Sequence, residues 1–285
     1  MEENNNKNNN KGLIIVVIIM FVACAILTSI MVKFGKALSK RVVETIKDTA
    51  QNQDIFDIVE HKQENLIYSE EFELTDIKNV NLKTVAATIT VKESKDDKVK
   101  IEVFSTKEKE VTANVLEDTV SVEYLDQEEH NFTINIGINE VQDEMIVYIP
   151  KDYENNILTD TNYGNISFDV SLKNASIDIV SDYGNIDIES VKNISIDCDF
   201  GNINVKNVYN KLDIETEYGN VNVDNLEINE DSNIVTKYGN VNVEKTNDIR
   251  IDTDVSLGSV DVNKNNREAD VSLNIKSEMG FINVN

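Results

Sequence analysis

Between Asn162 and Val243 the chain spells aromatic–glycine–asparagine–aliphatic five times, in "NYGNISF", "DYGNIDI", "DFGNINV", "EYGNVNV" and "KYGNVNV". Around each glycine, apolar and polar residues alternate with period two, the mark of a half-buried strand. Ahead of Gly219 the apolar set is Leu212, Ile214, Thr216 and Tyr218; behind it the set is Val221 and Val223. The set is even-numbered before the glycine and odd-numbered after it. A straight strand cannot switch parity without turning its apolar side chains to water. Each glycine therefore reads as a corner between two strand segments, occupied by the residue most tolerant of unusual backbone angles.

The switch recurs at Gly164, Gly184, Gly201 and Gly239, and again at Gly258 and Gly280, where Leu257 and Met279 replace the aromatic residue. Seven such glycines, 17 to 22 residues apart, constitute a repeat architecture. A unit this short cannot bury its own apolar face, so neighbouring coils must stack. The pattern predicts an all-β fold, a right-handed parallel β-solenoid whose seven coils span roughly 34 Å at about 4.8 Å per coil. Asn165, Asn185, Asn202, Asn220 and Asn240, one after each of the five tetrad glycines, are placed to form a hydrogen-bonded ladder. Two residues before each aromatic or its substitute stand Thr161, Ser181, Cys198, Thr216, Thr236, Val255 and Ser277, all small, so Cys198 reads as filler of a narrow inward site. Upstream, Val80, Leu82, Thr84 and Ala86 alternate, Ala87 takes the glycine's place, and Ile89 and Val91 come next with switched parity. Residues 68–150 thus read as an irregular start of the same β domain and 151–285 as the repeat solenoid, with a surface loop or hairpin at "DQEEHNFTINIGINEVQDE".

Before the β domain the composition changes. Residues 1–12 are an Asn-rich, low-complexity tail expected to be disordered. Leu13 to Val32 contains no charge, and a run of that length predicts a transmembrane helix. The stretch "FVAC" also loosely resembles a lipoprotein cleavage box with Cys24 as the lipidated residue; Phe21 fits that poorly, and a retained anchor is the reading adopted. Residues 33–67 read as a helical stalk, with apolar residues at Phe34, Leu38, Val42, Ile46 and Ala50. Lys33, Lys36, Lys40 and Arg41 come just after the span and outnumber Lys7 and Lys11 before it. That bias, taken alone, keeps the large C-terminal part in the cytoplasm.

A formal charge of −25 argues strongly against nucleic acid as a partner, since phosphate recognition needs clustered Lys and Arg. Two cysteines, Cys24 and Cys198, make neither a disulfide framework nor a zinc site, and His61 and His130 belong to no metal-ligand pattern. A solenoid hydrolase or lyase would need paired carboxylates, but the abundant outward acids, notably Asp182, Asp187, Asp197, Asp199 and Asp213, are expected on strands for solubility. The repeats hold no histidine and few basic residues to accompany them. No glycine-rich calcium repeat or EF-hand loop is present. The expectation is no catalysis, no cofactor and no metal.

The five tetrads, the opening "IKNVNLKTVAATITVKES" and "EMIVYIPKD" together resemble a bacterial "putative-adhesin" domain family of unknown function, over roughly residues 70–285. The resemblance implies a β-helix-like domain displayed outside the membrane, against the local charge bias, and brings no catalytic residues. Asn stands where that family commonly has Asp, and an aromatic where it often has Ser. Two functions are expected in consequence: a membrane-anchored, surface-exposed scaffold that binds a surface ligand or partner protein, or a structural or regulatory component of the envelope-stress response. The repeat runs to Met279, Gly280, Ile282 and Val284 with no polar cap after them, which predicts that residues 268–285 form the open end of the rod and a surface for end-to-end self-association.

Overall fold

The computed structural model describes residues 65–73, 77–105, 110–125 and 143–285. The Asn-rich tail, the apolar span with Cys24, the stalk up to residue 64, both histidines and loop residues 126–142 lie outside the described residues. Those described form a single sheet of sixteen strands, coiled on itself, with no helix among them.

The regular part starts with β8 (Asn156–Tyr163) and runs through β9 (Ile166–Tyr183), β10 (Ile186–Phe200) and β11 (Ile203–Tyr218) to β12 (Val221–Leu226), β13 (Ser232–Tyr238) and β14 (Val241–Thr246). All pairing within it is parallel. One coil comprises the segment before a glycine, the glycine corner and the segment after it. β9, β10 and β11 each serve two coils, ending one and beginning the next. Repetition of sequence becomes repetition of register: Ile186 lies between Ile166 and Ile203, and Ile196 between Ile179 and Ile214. β-Branched residues stack on their own kind, and the inward set (Ile177, Ile179, Ile186, Ile188, Ile194, Ile196) is buried throughout. Each such side chain contributes about 1.5–3 kcal/mol by leaving water.

The N-terminal end is built differently. β2 (Asn79–Thr84) and β3 (Ala87–Glu93) form a coil lying directly against β8 and β9. On their far side lie β6 (Thr119–Tyr124) and β7 (Asp143–Ile149), also parallel. Antiparallel strands then cover this end: β5 (Val111–Leu116) on β6, β4 (Lys98–Ser105) on β7, and β1 (Asn65–Glu73) on β4.

The C-terminal end departs from the expectation that residues 268–285 close the rod. After β14 the chain forms β15 (Arg250–Val262) and then returns as β16 (Ser272–Val284). β16 pairs with β13 and β14 on one side and with β15 on the other. Residues 272–284 are therefore an interior coil, and the outermost coil is β15. The physical reason lies in the side chains. Leu273, Ile275, Ile282 and Val284 supply four apolar residues that are buried between neighbours, whereas the matching positions of β15 are Ile251, Thr253, Val260 and Val262, one of them polar. Self-association through an open edge at 268–285 does not fit this topology.

Candidate functional site

The seven glycines form one column that runs the length of the stack. An ideal Cβ on any of them would lie 2.6 to 2.8 Å from the carbonyl carbon of the column neighbour, and nearer still to its oxygen. Gly164 meets Ala87 in this way, so Ala87 heads the column. Close approach is the requirement shared by all seven. An unusual backbone angle accompanies it only at Gly184 (φ +152°) and Gly258 (φ +155°). Backbone bonds hold the corners together: Gly184 N–H donates to the Phe200 carbonyl at 2.9 Å, and Gly201 N–H to that of Tyr218 at 3.0 Å.

Beside the glycines, Asn165, Asn185, Asn202, Asn220 and Asn240 form the expected ladder, through an unexpected donor. Each Asn side-chain oxygen accepts from the backbone N–H of the next residue in the column, at 2.9, 3.0, 3.1 and 3.0 Å, and Asn240 accepts from Phe281 N–H at 2.9 Å. The amide thus satisfies a corner N–H that the strand ladder cannot reach. A second column, Asp187–Asn204–Asn222, is linked by side-chain amides at 2.8 and 2.9 Å. The Asn excess of the composition is in large part ladder-forming.

The aromatic residues stand elsewhere than their parity predicts. Tyr163, Tyr183, Phe200, Tyr218 and Tyr238 leave the core at the corner and are 36 to 45 % exposed. They stack face to face: centroids are 5.2, 4.8, 4.8 and 4.8 Å apart and the rings lie within 13° of parallel. Met279 and Leu257 continue the column, beside exposed Phe281 and Val260. The core has no room for these rings, because the inward site two residues earlier admits only Thr161, Ser181, Cys198, Thr216 and Thr236, all buried. That contrast is present in the sequence: one column of the repeat is uniformly large, and its neighbour in the same parity class is uniformly small. Burial pushes the Cys198 thiol up to about 11.

Acids line one flank of the ladder. Asp182, Asp199 and Glu217 occupy successive coils at the position before the aromatic, with Asp197 and Glu215 two residues further back. Desolvation against the strands, then Glu217, Asp182 and Asp197, raises the Asp199 carboxyl above its usual range. Lys237 pairs with Glu217, and Asn162 donates to Asp182 at 2.7 Å. Asp213 instead accepts from Asn233 at 2.8 Å and pairs with Lys211 at 2.8 Å. The five candidate acids are thus distributed: Asp182, Asp197 and Asp199 come together, while Asp187 and Asp213 serve separate ladders. At the other end of these strand segments a shallow depression is lined by Leu158, Asp178, Ser195, Lys211 and Asp213. The chief feature of the face is a straight, periodic strip of ring edges and phenol hydroxyls between a column of amides and a column of carboxylates.

No curated protein matches the sequence. Among solved structures, the chain is similar to a "putative cell adhesion protein" from Clostridium sporogenes (14 % identity, 76 % of this chain and 98 % of that one, TM-score 0.34). It is also similar to a "putative adhesin" from Bacteroides fragilis (12 %, 76 % and 96 %, TM-score 0.49) and a "putative lipid binding protein" from Parabacteroides distasonis (14 %, 76 % and 96 %, TM-score 0.38). Residues 77–285, most of the chain, match the family model described as Toastrack DUF4097, and the protein belongs to that family.

Proposed function

We propose that this protein is a right-handed β-solenoid anchored by residues 13–32 and displayed outside the cytoplasmic membrane, with its Asn-rich tail inside. In this reading it is a non-catalytic scaffold that binds a surface ligand or partner protein. The observation that carries the reading is the ladder face. Five stacked rings and a parallel row of amides repeat along the rod, flanked over the middle three coils by Asp182, Asp199 and Glu217. Such a strip offers an extended partner the same ring and amide contacts at every coil, with carboxylates beside the middle three, and repeated weak contacts on one rigid body sum to useful avidity. The two uncharged columns, amide and aromatic, supply hydrogen bonds and apolar edges, while the acids reject anionic surfaces.

Two measurements test this. Protease treatment of intact cells is expected to remove the β domain; protection until the membrane is opened reverses the orientation and removes the surface reading. Cells carrying Tyr183→Ser with Tyr218→Ser are then expected to lose attachment or partner capture while retaining the folded protein on their surface. Unchanged attachment together with altered sensitivity to cell-wall or membrane agents on gene deletion would instead support the envelope-stress role.

A further inference from the structure

The ladder contains four of the nine tyrosines, and Phe200 divides them into two stacked pairs, Tyr163–Tyr183 and Tyr218–Tyr238. We propose that these two pairs are sites of oxidative modification, at which one-electron oxidation driven by peroxide joins neighbouring coils through dityrosine.

The geometry supplies what this coupling needs. Within each pair the rings are held 5.2 and 4.8 Å apart, centroid to centroid, at 7° and 13° from parallel. Both partners project from the same corner of consecutive coils with their rings near parallel, so equivalent ring carbons repeat at about the centroid spacing. All four rings are roughly half exposed, open to an oxidant at their edges. The other tyrosines differ. Tyr124 and Tyr153 are buried, Tyr68 donates its hydroxyl to Glu70, and Tyr148 and Tyr209 lie against Lys100 and Lys173. Tyr183 and Tyr218 each have Phe200 on their second face, and a phenyl ring lacks the phenolic O–H from which the radical is made. Coupling is therefore confined to within each pair.

The chemistry balances with hydrogen peroxide as the oxidant and a haem peroxidase as its catalyst. Each phenol gives up one electron and its hydroxyl proton to become a phenoxyl radical. The two radicals join through the ring carbons ortho to oxygen, forming one C–C bond. Each joined carbon then releases its hydrogen as a proton while a phenolic O–H is re-formed, restoring both aromatic rings. The peroxide O–O bond breaks, and it takes up the two electrons and two protons to leave as two waters. The protein loses two hydrogens per link. Holding both radicals on adjacent coils makes the coupling intramolecular, with the rate advantage that proximity confers. Each link staples one coil to the next, as a disulfide would, and restricts the unfolded chain.

The experiment treats the full chain with peroxide and a haem peroxidase, then maps cross-linked peptides by mass spectrometry and monitors dityrosine fluorescence. Two links are expected, 163–183 and 218–238, in protein that remains monomeric, with a yield unchanged on dilution and a raised unfolding midpoint. Tyr183→Phe, which keeps the ring stack, is expected to abolish the first link and spare the second; Tyr238→Phe does the reverse. Phe200→Tyr is expected to open coupling to Tyr183 or Tyr218. Links solely between chains, links confined to Tyr68, Tyr148 or Tyr209, or dityrosine that forms only after denaturation would each overturn the proposal.

Discussion

Replacing Gly219 with alanine adds one carbon at the middle of the stack. That Cβ would lie 2.8 Å from the Gly201 carbonyl carbon, against 3.4 Å for ordinary contact, so the neighbouring coil must withdraw by about 0.6 Å there and further at the oxygen. Three hydrogen bonds cross this gap: Gly201 N–H to Tyr218 O at 3.0 Å, Ile203 N–H to Asn220 O at 2.9 Å, and Asn220 N–H to Asn202 Oδ1 at 3.1 Å. Lengthened by that much, they leave the useful range. Each is worth about 1 kcal/mol net, and loosening the Phe200–Tyr218 stack adds about 0.5 kcal/mol. The expected cost is about 3–4 kcal/mol, a large share of the stability of an ordinary domain, and Gly219→Val should cost at least as much. Equilibrium denaturation of the purified protein measures it, with Asp213→Asn as an outward-facing control expected within about 0.5 kcal/mol of wild type. A loss under about 1 kcal/mol for Gly219→Ala would refute the close-approach argument, because the backbone would then have moved aside without losing its ladder.

Asn202→Leu removes the acceptor for Asn220 N–H and leaves that corner donor without a protein partner, so a loss of about 1–2 kcal/mol is expected in the same melts. Cys198→Ser should be tolerated to within about 1 kcal/mol, since Thr and Ser fill the equivalent sites, whereas Cys198→Leu should overpack the column by about 1–3 kcal/mol. With its folded pKa raised from 9.0 to about 11, the Cys198 thiol stays neutral in the folded state while the unfolded thiol ionises, so stability is full below pH 9 and declines as pH rises toward 11. Alkylation of Cys198 at neutral pH, located by peptide mapping, should be negligible until denaturant is added. The Asp199 carboxyl is also raised in the folded state, so its charged form opposes folding. Asp199→Asn should therefore stabilise slightly at neutral pH, and the gain should vanish in acid once Asp199 itself is protonated. Because Asp199 is exposed, solvent screening keeps that gain small, and added salt should reduce it further.

Repeat, parity and register were legible in the sequence because each is local: a strand displays its two faces at every second residue, and coils of similar length copy that display. The small inward column around Cys198 and the Asn ladder were legible for the same reason. The aromatic ladder was misplaced because period-two counting carries Tyr218 inward, whereas the corner begins one residue before Gly219 and turns the ring out. Its volume beside Thr216 held the missing information. The place of β16 was not legible, since parity is blind to which coil a strand lies against. Only the greater apolar content of Leu273, Ile275, Ile282 and Val284 over β15 hinted that the later strand belongs deeper. The acids show the reverse limit: composition announced their number, but not that Asp182, Asp197 and Asp199 share one face.

The insertion of β16 also fixes an order of events. Elsewhere in the regular stack a coil finds its partner 17 to 20 residues back, as Ile203 does with Ile186 and Val241 with Val221, so each can zip onto the one before as it leaves the ribosome. β16 must reach back 41 residues, from Leu273 to Ser232, past a strand that is already made. Until then β15 has no strand beside it, because β16 is its sole neighbour among the described strands. β16 is therefore a keystone, and removing it by ending the chain after Asp270 would release two coils rather than one. From β8 as far as β14 the coils can add one after another, whereas the β15–β16 step is all or none.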